Sequence, residues 1–198
     1  METDLALLNA AKRMERDALV KIFDLYASPL YNYALRLCGD PLLADHIVGD
    51  VFAKLLDQLA SGNGPTSNLR SYLYETAYHT IVDEARYAQR RAPLDVLTSL
   101  RSNGHSRLQG LEDPILFEMI LDAIQHDLTD DQRHVIVLRF LEEFSLRETA
   151  AILGKDISHV KVIQSRALVK LRKVLESKDI PTTISLPKIK EISKASSL

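Results

Sequence analysis

Residues 128 to 175 constrain the fold more than any other part of the chain, because their spacing spells three consecutive helices with a tight turn between the second and third. Asp130 to Glu142 carries Val135, Leu138 and Leu141 at three-residue steps, which predicts one apolar stripe facing a core while Asp131, Arg133 and Arg139 stay wet. Ser145 and Glu148 have the spacing of a capping box, in which each side chain satisfies an orphaned amide of a helix's first turn. Gly154 is placed to stop that helix, since a left-handed residue costs glycine little. Asp156 can cap the third helix, whose Val160, Ala167, Leu171 and Val174 recur at helical spacing. Its opposite face then holds His159, Lys161, Val162, Ser165, Arg166 and Lys173. This is a helix-turn-helix pattern, and a plain three-helix core bundle shares much of its spacing.

Charge separates the two readings. Between Lys155 and Leu175 stand Lys155, Lys161, Arg166, Lys170, Arg172 and Lys173 against Asp156 alone, a local net of +5 in a chain whose total is -2. Basic charge gathered on the element that would enter a groove is the footprint of a phosphate-binding surface. A merely solvated helix face accounts less well for that segregation.

At 198 residues with 46% apolar side chains, the chain can build one larger core or two small ones. No run reaches the roughly 18 apolar residues that a bilayer span needs. The first residues scatter charges among apolar positions, unlike a signal peptide, so a cytoplasmic protein without membrane insertion is expected. Cys38 is the only cysteine, which rules out an internal disulfide and suits a reducing compartment. The six histidines form no pair at metal-ligand spacing on a shared helix face, and no phosphate-cradling glycine loop is present. No nucleophile, base and acid stand in a convincing constellation. The expectation is therefore no catalytic residues, no metal, no cofactor and no enzyme.

The punctuation gives the organisation. Ser28-Pro29 and Asp40-Pro41 each pair a capping residue with a proline suited to the first helical position. Helices are expected near 3–12, 15–27, 29–38, 41–60 and 68–90, with a polar stretch from Ser61 to Asn68 before the last. Ala92 to Asp113 lacks periodicity and is rich in Ser, Gly, Pro and Asn, which reads as a flexible connector. Asp113-Pro114 opens a helix to about Asp127. The fold class is thus all-α: a helical domain over 1–92, a linker over 93–113, a helix-turn-helix domain over 114–176 and a tail over 177–198. The tail's Ile184, Leu186, Ile189 and Ile192 could fold back on the basic helix, but disorder is the favoured reading.

Two blocks in the first domain carry a family resemblance. Ala44-Asp45-His46-Ile47-Val48-Gly49-Asp50-Val51-Phe52 is similar to the segment Ala-Glu-Asp-Leu-Val-Gln-Asp-Val-Phe of bacterial sigma factors. Tyr72-Leu73, Ala77, His79, Asp83 and Arg86 follow that family's Trp-Leu, Ala, Asn, Asp and Arg spacing. Leu128, Arg133, Arg166-Ala167 and Leu171-Arg172 match its carboxy-terminal pattern. The chain therefore resembles the compact, two-domain extracytoplasmic-function group of the sigma-seventy family. The resemblance covers about residues 15–92 and 114–175.

That resemblance implies a transcription initiation factor that binds core RNA polymerase and promoter DNA and is restrained by an anti-sigma factor. Asp45 and Asp50 would face the clamp of the largest polymerase subunits, with Ile47 and Val51 adding apolar contacts. The surplus of acids over bases between Glu15 and Ala60 fits such docking. Asn63, Tyr72, His79, Asp83, Arg86, Tyr87, Arg90 and Arg91 are the candidates for the minus-ten element, where melted bases stack on aromatic rings and the backbone follows basic groups. Asparagine at 63 has an amide able to read the edge of an extruded base, or it marks an ordinary turn. Tyr74 and Tyr78 share a face, and one of the two is expected in the core. In the second domain Ser158, His159, Val162 and Ser165 would read the minus-thirty-five element while Lys155, Lys161 and Arg166 hold phosphates.

The chain also departs from the family pattern. His46 and Gly49 replace Asp and Gln, and His79 replaces Asn. Val162 and Ile163 replace a Ser-Arg pair, which removes a phosphate ligand and offers apolar contact to a thymine methyl. Gln164 stands where a leucine is usual, so Ile163 is expected to take over the core position by a small rotation of the helix. Two other readings remain open. An operator-binding helix-turn-helix regulator would have no reason to carry the Ala44–Phe52 and Tyr72–Arg86 blocks. A polymerase-binding adaptor would have lost promoter recognition.

Overall fold

The computed structural model describes residues 2–91 and 114–177. The chain divides into two compact units, Met1–His105 and Ser106–Leu198. The linker assigned to 93–113 and the tail after Ser177 lie outside the described residues.

The first unit consists of α1 (Glu2–Lys12), α2 (Arg16–Cys38), α3 (Pro41–Ala60) and α4 (Leu69–Arg91). Three residues make the α2–α3 corner, each for its own reason. Gly39 takes the left-handed φ of 70° and returns its N–H to Leu35 O at 2.8 Å. Asp40 Oδ1 accepts from Leu42 N–H at 2.8 Å and Leu43 N–H at 3.2 Å, and Pro41 fills the first helical position, where no amide is lost. Cys38 closes α2 half-buried, its thiol donating to Asp40 O at 3.6 Å; burial, more than the nearby aspartate, holds its pKa above the ordinary value.

The core of this unit lies where α2, α3 and α4 pack on one another, with Leu8 and Ala11 of α1 added at the side. Ala44, Ile47, Val51, Leu55 and Leu59 form the inner stripe of α3, and Leu69, Leu73, Tyr74, Ala77 and Ile81 that of α4. Each fully buried Leu or Ile contributes about 1.5–3 kcal/mol of apolar transfer. Tyr33 and Tyr74 meet with ring centroids 5.1 Å apart, both fully buried. The expected break at Ser28-Pro29 is corrected, because α2 runs through Pro29 without interruption. Proline removes one ladder bond, whose carbonyl belongs to solvent-facing Leu25, while the buried positions Ile22, Leu30, Tyr33 and Leu37 continue the same stripe past it.

The second unit contains α5 (Pro114–Asp127), α6 (Asp130–Ile136), a π-helical turn (Val137–Leu141), α7 (Leu146–Ile152) and α8 (Ile157–Ser177). No strand occurs among the described residues. The Ser145–Glu148 capping box forms as expected: Ser145 N–H donates to Glu148 Oε2 at 2.8 Å, and Glu148 N–H to Ser145 Oγ at 3.2 Å. Thr129 N–H also donates to Gln132 Oε1 at 3.1 Å, a second start signal, legible in the sequence as Thr-x-x-Gln. Gly154 ends α7 with φ 60°.

The single helix expected from Asp130 to Glu142 is corrected at its second half. Glu142 N–H reaches back five residues to Val137 O at 2.9 Å, so the last turn is widened. Arg139, expected to stay wet, is 2% exposed: four residues after Val135, it shares that buried face and lies within the widened turn. Val135, Ile136, Val137 and Leu138 are all buried because α6 and the π-helical turn are enclosed by α5, α7 and α8. His134 is buried among them. Burial, chiefly, lowers its pKa from 6.5 to about 4; Arg133 and Lys155 push the same way, and Asp130 and Asp131 oppose.

Asp40→Ala should cost about 1 kcal/mol and Leu73→Ala about 2–5 kcal/mol in urea unfolding of the full chain, since one loses a cap and the other leaves a cavity. His134 folds as the neutral form, so its contribution is complete above the ordinary pKa and is lost as pH falls from 6.5 toward about 4. Wild type should lose about 3 kcal/mol more than His134→Gln between pH 7 and pH 4, followed by NMR signals of the second unit.

Candidate nucleic-acid and protein interfaces

The outer face of α8 is defined by what the inner face buries. Val160, Ile163, Ala167, Leu171 and Leu175 pack inward against the other helices of the unit. Ser158, His159, Lys161, Val162, Ser165 and Arg166 consequently stand exposed, with Val162 46% accessible. Lys170, Arg172 and Lys173 extend the positive field along the helix. Lys155 differs from the other cations, being half-buried with its Nζ 3.1 Å from Asp131 Oδ2. Part of its charge is already neutralised within the unit. Ile163 is 8% exposed, and Gln164 lies beside it, half-buried. Ile163 thus holds a core position, while Gln164 is only partly withdrawn from solvent.

A single guanidinium organises the neighbourhood of that helix. Arg139 Nε donates to Gln164 Oε1 at 3.2 Å, its Nη1 donates to Phe144 O, and its Cζ lies 6.0 Å from the Phe140 ring centroid. Burial lowers the pKa of Arg139 from its ordinary value, with Glu148 opposing. The four-residue spacing from Val135 puts Arg139 on the buried face, but the apolar pattern does not name the polar partners it meets there.

On α4 the candidates fall on one stripe. Tyr72, His79, Asp83, Arg86, Tyr87 and Arg90 recur at steps that keep one side of a helix in line. All are exposed except half-buried Tyr72, and Tyr87 is 46% accessible. Arg86 Nη1 lies 3.6 Å from Asp83 Oδ1, and Arg90 Nε donates to Arg86 O at 3.3 Å. The side chain of Arg91 lies outside the described residues. Of the two tyrosines that competed for the core, Tyr74 is buried beneath Arg70, whose Cζ is 5.5 Å from the ring centroid. Tyr78 is half-buried, 5.2 Å from the His79 ring.

The loop before α4 is anchored at both ends. Asn63 N–H donates to Gln58 O at 2.9 Å, and Asn68 Oδ1 accepts from Ser71 N–H at 3.1 Å. Gly62 needs its φ of 75°, and a Cβ on Gly64 would come within 2.7 Å of Leu59 Cδ2. Asn63 is held outward between these restraints, its side chain exposed.

The docking residues assigned to α3 divide. Asp45 is exposed and Asp50 half-buried, but Ile47 and Val51 are 1% and 0% exposed. They face α2 and α4 and cannot supply a partner with apolar contact. That expectation is corrected, since residues at 44, 47, 48, 51 and 55 form the inner stripe. The outer stripe follows the spacing Asp45, Gly49, Phe52 and Leu56, and Phe52 meets exposed Phe23 of α2 with the rings tilted by 50° and centroids 4.9 Å apart. This apolar patch was legible as helical spacing but was masked by the match to Ile47 and Val51. His46 Nε2 lies 3.7 Å from Asp50 Oδ2 and 4.0 Å from Glu84 Oε1, bridging α3 to α4. Among the described residues no group of three side chains could hold a metal ion, and no helix is long and apolar enough to cross a membrane.

Two family models match the chain, one in each unit. Residues 22–91 match the family described as Sigma-70 region 2, and residues 126–173 match Sigma-70, region 4. The chain is 25% identical over 173 residues to the ECF RNA polymerase sigma factor BldN of Streptomyces coelicolor, covering 85% of this chain and 64% of that relative's length. It is 28% identical to the ECF RNA polymerase sigma factor SigX of Bacillus subtilis, covering 78% of this chain and 82% of the relative. In fold it is similar to CnrH, solved with the cytosolic domain of CnrY, at a TM-score of 0.66 and 20% identity over 88% of this chain and 97% of CnrH. It is also similar to the sigma factor RpoE of Bartonella quintana, solved with the anti-sigma factor NepR, at 0.62 and 23% over 79% of this chain and 95% of RpoE. With a region 2 match in the first unit and a region 4 match in the second, the chain belongs to the sigma-70 family of RNA polymerase sigma factors, in its extracytoplasmic-function group.

Proposed function

We propose that this sigma factor directs polymerase to promoters with two upstream elements, the first unit docking on core polymerase and holding the melted minus-ten strand, the second entering the minus-thirty-five major groove. The observation that carries the reading is the exposed face of α8, where Ser158, Val162 and Ser165 lie between Lys161 and Arg166. Small polar and apolar side chains at the centre of a helix face can approach base edges, while flanking cations reach phosphates. On α4, exposed Tyr87 between Arg86 and Arg90 supplies a ring and flanking charge for an unpaired strand. Asn63 and His79 complete that surface, Asn63 with an amide edge suited to a captured base.

Polymerase docking rests on Asp45, Asp50, Phe52, Leu56 and Phe23: the acids govern encounter and register, and the rings supply affinity. The factor works in the cytoplasm, where polymerase is, without a catalytic centre or cofactor of its own. Its basic α8 and its apolar α3 face are surfaces that a protein inhibitor would cover. The two solved relatives whose partners are named above support an anti-sigma factor as the regulator.

In-vitro transcription with core polymerase on a pool of genomic promoter fragments tests the reading directly. Transcripts sharing two upstream elements are expected only when the protein is present, and core binding without transcripts would favour the adaptor instead. Lys161→Ala and Arg166→Ala should each lower the log–log salt slope of DNA binding by about one unit while leaving promoter choice unchanged. Phe52→Asp should weaken core binding by about tenfold or more in a fluorescence titration, with promoter-element preference retained.

A further inference from the structure

Gln164 occupies an unusual place. At 100° per residue it falls inside the arc spanned by Val160, Ile163, Ala167, Leu171 and Leu175, so a half-buried amide is set at the apolar inner face of α8. Burial of an amide among apolar groups is unfavourable unless a partner meets it. Here the partner is Arg139 Nε, at 3.2 Å. Arg139 is itself fixed: it is 2% exposed, lies within the π-helical turn, and is tied through Nη1 to Phe144 O in the corner entering α7. The apolar pattern of α8 does not settle its azimuth alone, because Val162 and Val169 on the outer face are 46% and 54% exposed. Apolar contacts are non-directional, whereas a hydrogen bond to an immobilised guanidinium is directional.

We infer that the Arg139–Gln164 hydrogen bond is the positioning element for promoter recognition in this chain, setting the rotation of α8 that buries Ile163 and turns Ser158, Val162 and Ser165 outward. Gln164 touches no base. It acts through the helix it holds. Replacing it with leucine moves the centre of the apolar arc toward position 164 and lets Ile163 swing toward solvent, which re-aims the residues at 158, 162 and 165. This inference rests on the reading that α8 is the helix facing DNA.

The test uses the full chain assembled with core polymerase, a promoter library randomised across the minus-thirty-five element, and the variants Gln164→Leu, Gln164→Glu and Lys161→Ala/Arg166→Ala. Gln164→Leu should change the ratio of preferred to next-best base by about fivefold or more at one or more positions, with non-specific DNA affinity and core binding within about twofold of wild type. Gln164→Glu keeps the acceptor and should retain the wild-type preference. The NMR signal of Arg139 Nε–Hε should move in the leucine variant and persist in the glutamate variant, a readout independent of DNA. Should Gln164→Leu fail to fold, Gln164→Met, which keeps the length and removes the acceptor, takes its place with the same expectation. Wild-type preferences in the leucine variant, or a uniform loss on specific and non-specific DNA that tracks its melting temperature, would overturn the inference. If Lys161→Ala/Arg166→Ala also binds every fragment as wild type does, the DNA-facing reading of α8 fails with it; if that double variant weakens binding uniformly, only the positioning role is lost.

Discussion

Burying one stripe of a helix decides what its other side presents, and both units of this protein depend on that constraint. In the second unit Val160, Ile163, Ala167, Leu171 and Leu175 seat α8, leaving its cations and small side chains to solvent. In the first, Leu73, Tyr74, Ala77 and Ile81 seat α4 and leave His79, Asp83, Arg86, Tyr87 and Arg90 in line on the far side. The same holds for α3, where burial of Ile47 and Val51 is what brings Asp45, Phe52 and Leu56 outward. A binding face of this kind needs no loop to build it, and its geometry is as rigid as the core behind it.

Polar groups then refine what the apolar stripes leave loose. Arg139 is the clearest case, a buried cation tied to Gln164 on α8 and to Phe144 in the corner before α7. Removing one partner of such a group exposes the full cost of desolvating the other, which makes the arrangement more specific than a leucine contact at the same place. The first unit uses lighter restraints. Lys54 Nζ lies 2.9 Å from Thr80 Oγ1, and His46 faces Asp50 and Glu84, both linking α3 to α4 near the proposed polymerase face. The acid-rich α2–α3 side and the basic α8 also keep two classes of partner apart, since each surface repels what the other attracts.

The helices and their ends were largely legible before any coordinates. Asp40-Pro41, Ser145 with Glu148, and Gly154 are local signals, because a cap or a left-handed glycine acts within one turn and depends on little else. Ser28-Pro29 misled, since the same dipeptide that can open a helix can also sit inside one when the buried stripe continues past it. Ile47 and Val51 misled for a related reason: a sequence match preserves order along the chain but does not say which side of the helix is covered. Arg139 misled because following the three-residue steps from Val135 to Leu138 and Leu141 overlooks the four-residue one, which puts position 139 on the buried side with Val135.

The sequence by itself determined that the chain is helical, where most helices begin and end, and that positive charge concentrates on the last of them, because capping, periodicity and charge are properties of neighbouring residues. Only the tertiary structure decided that Ile47 and Val51 turn inward on α3, that α6 widens into a π turn, and that an arginine and a glutamine 25 residues apart in sequence meet inside the second unit. Those outcomes depend on how stripes from different helices share one core, and that competition is settled by packing rather than by any single segment.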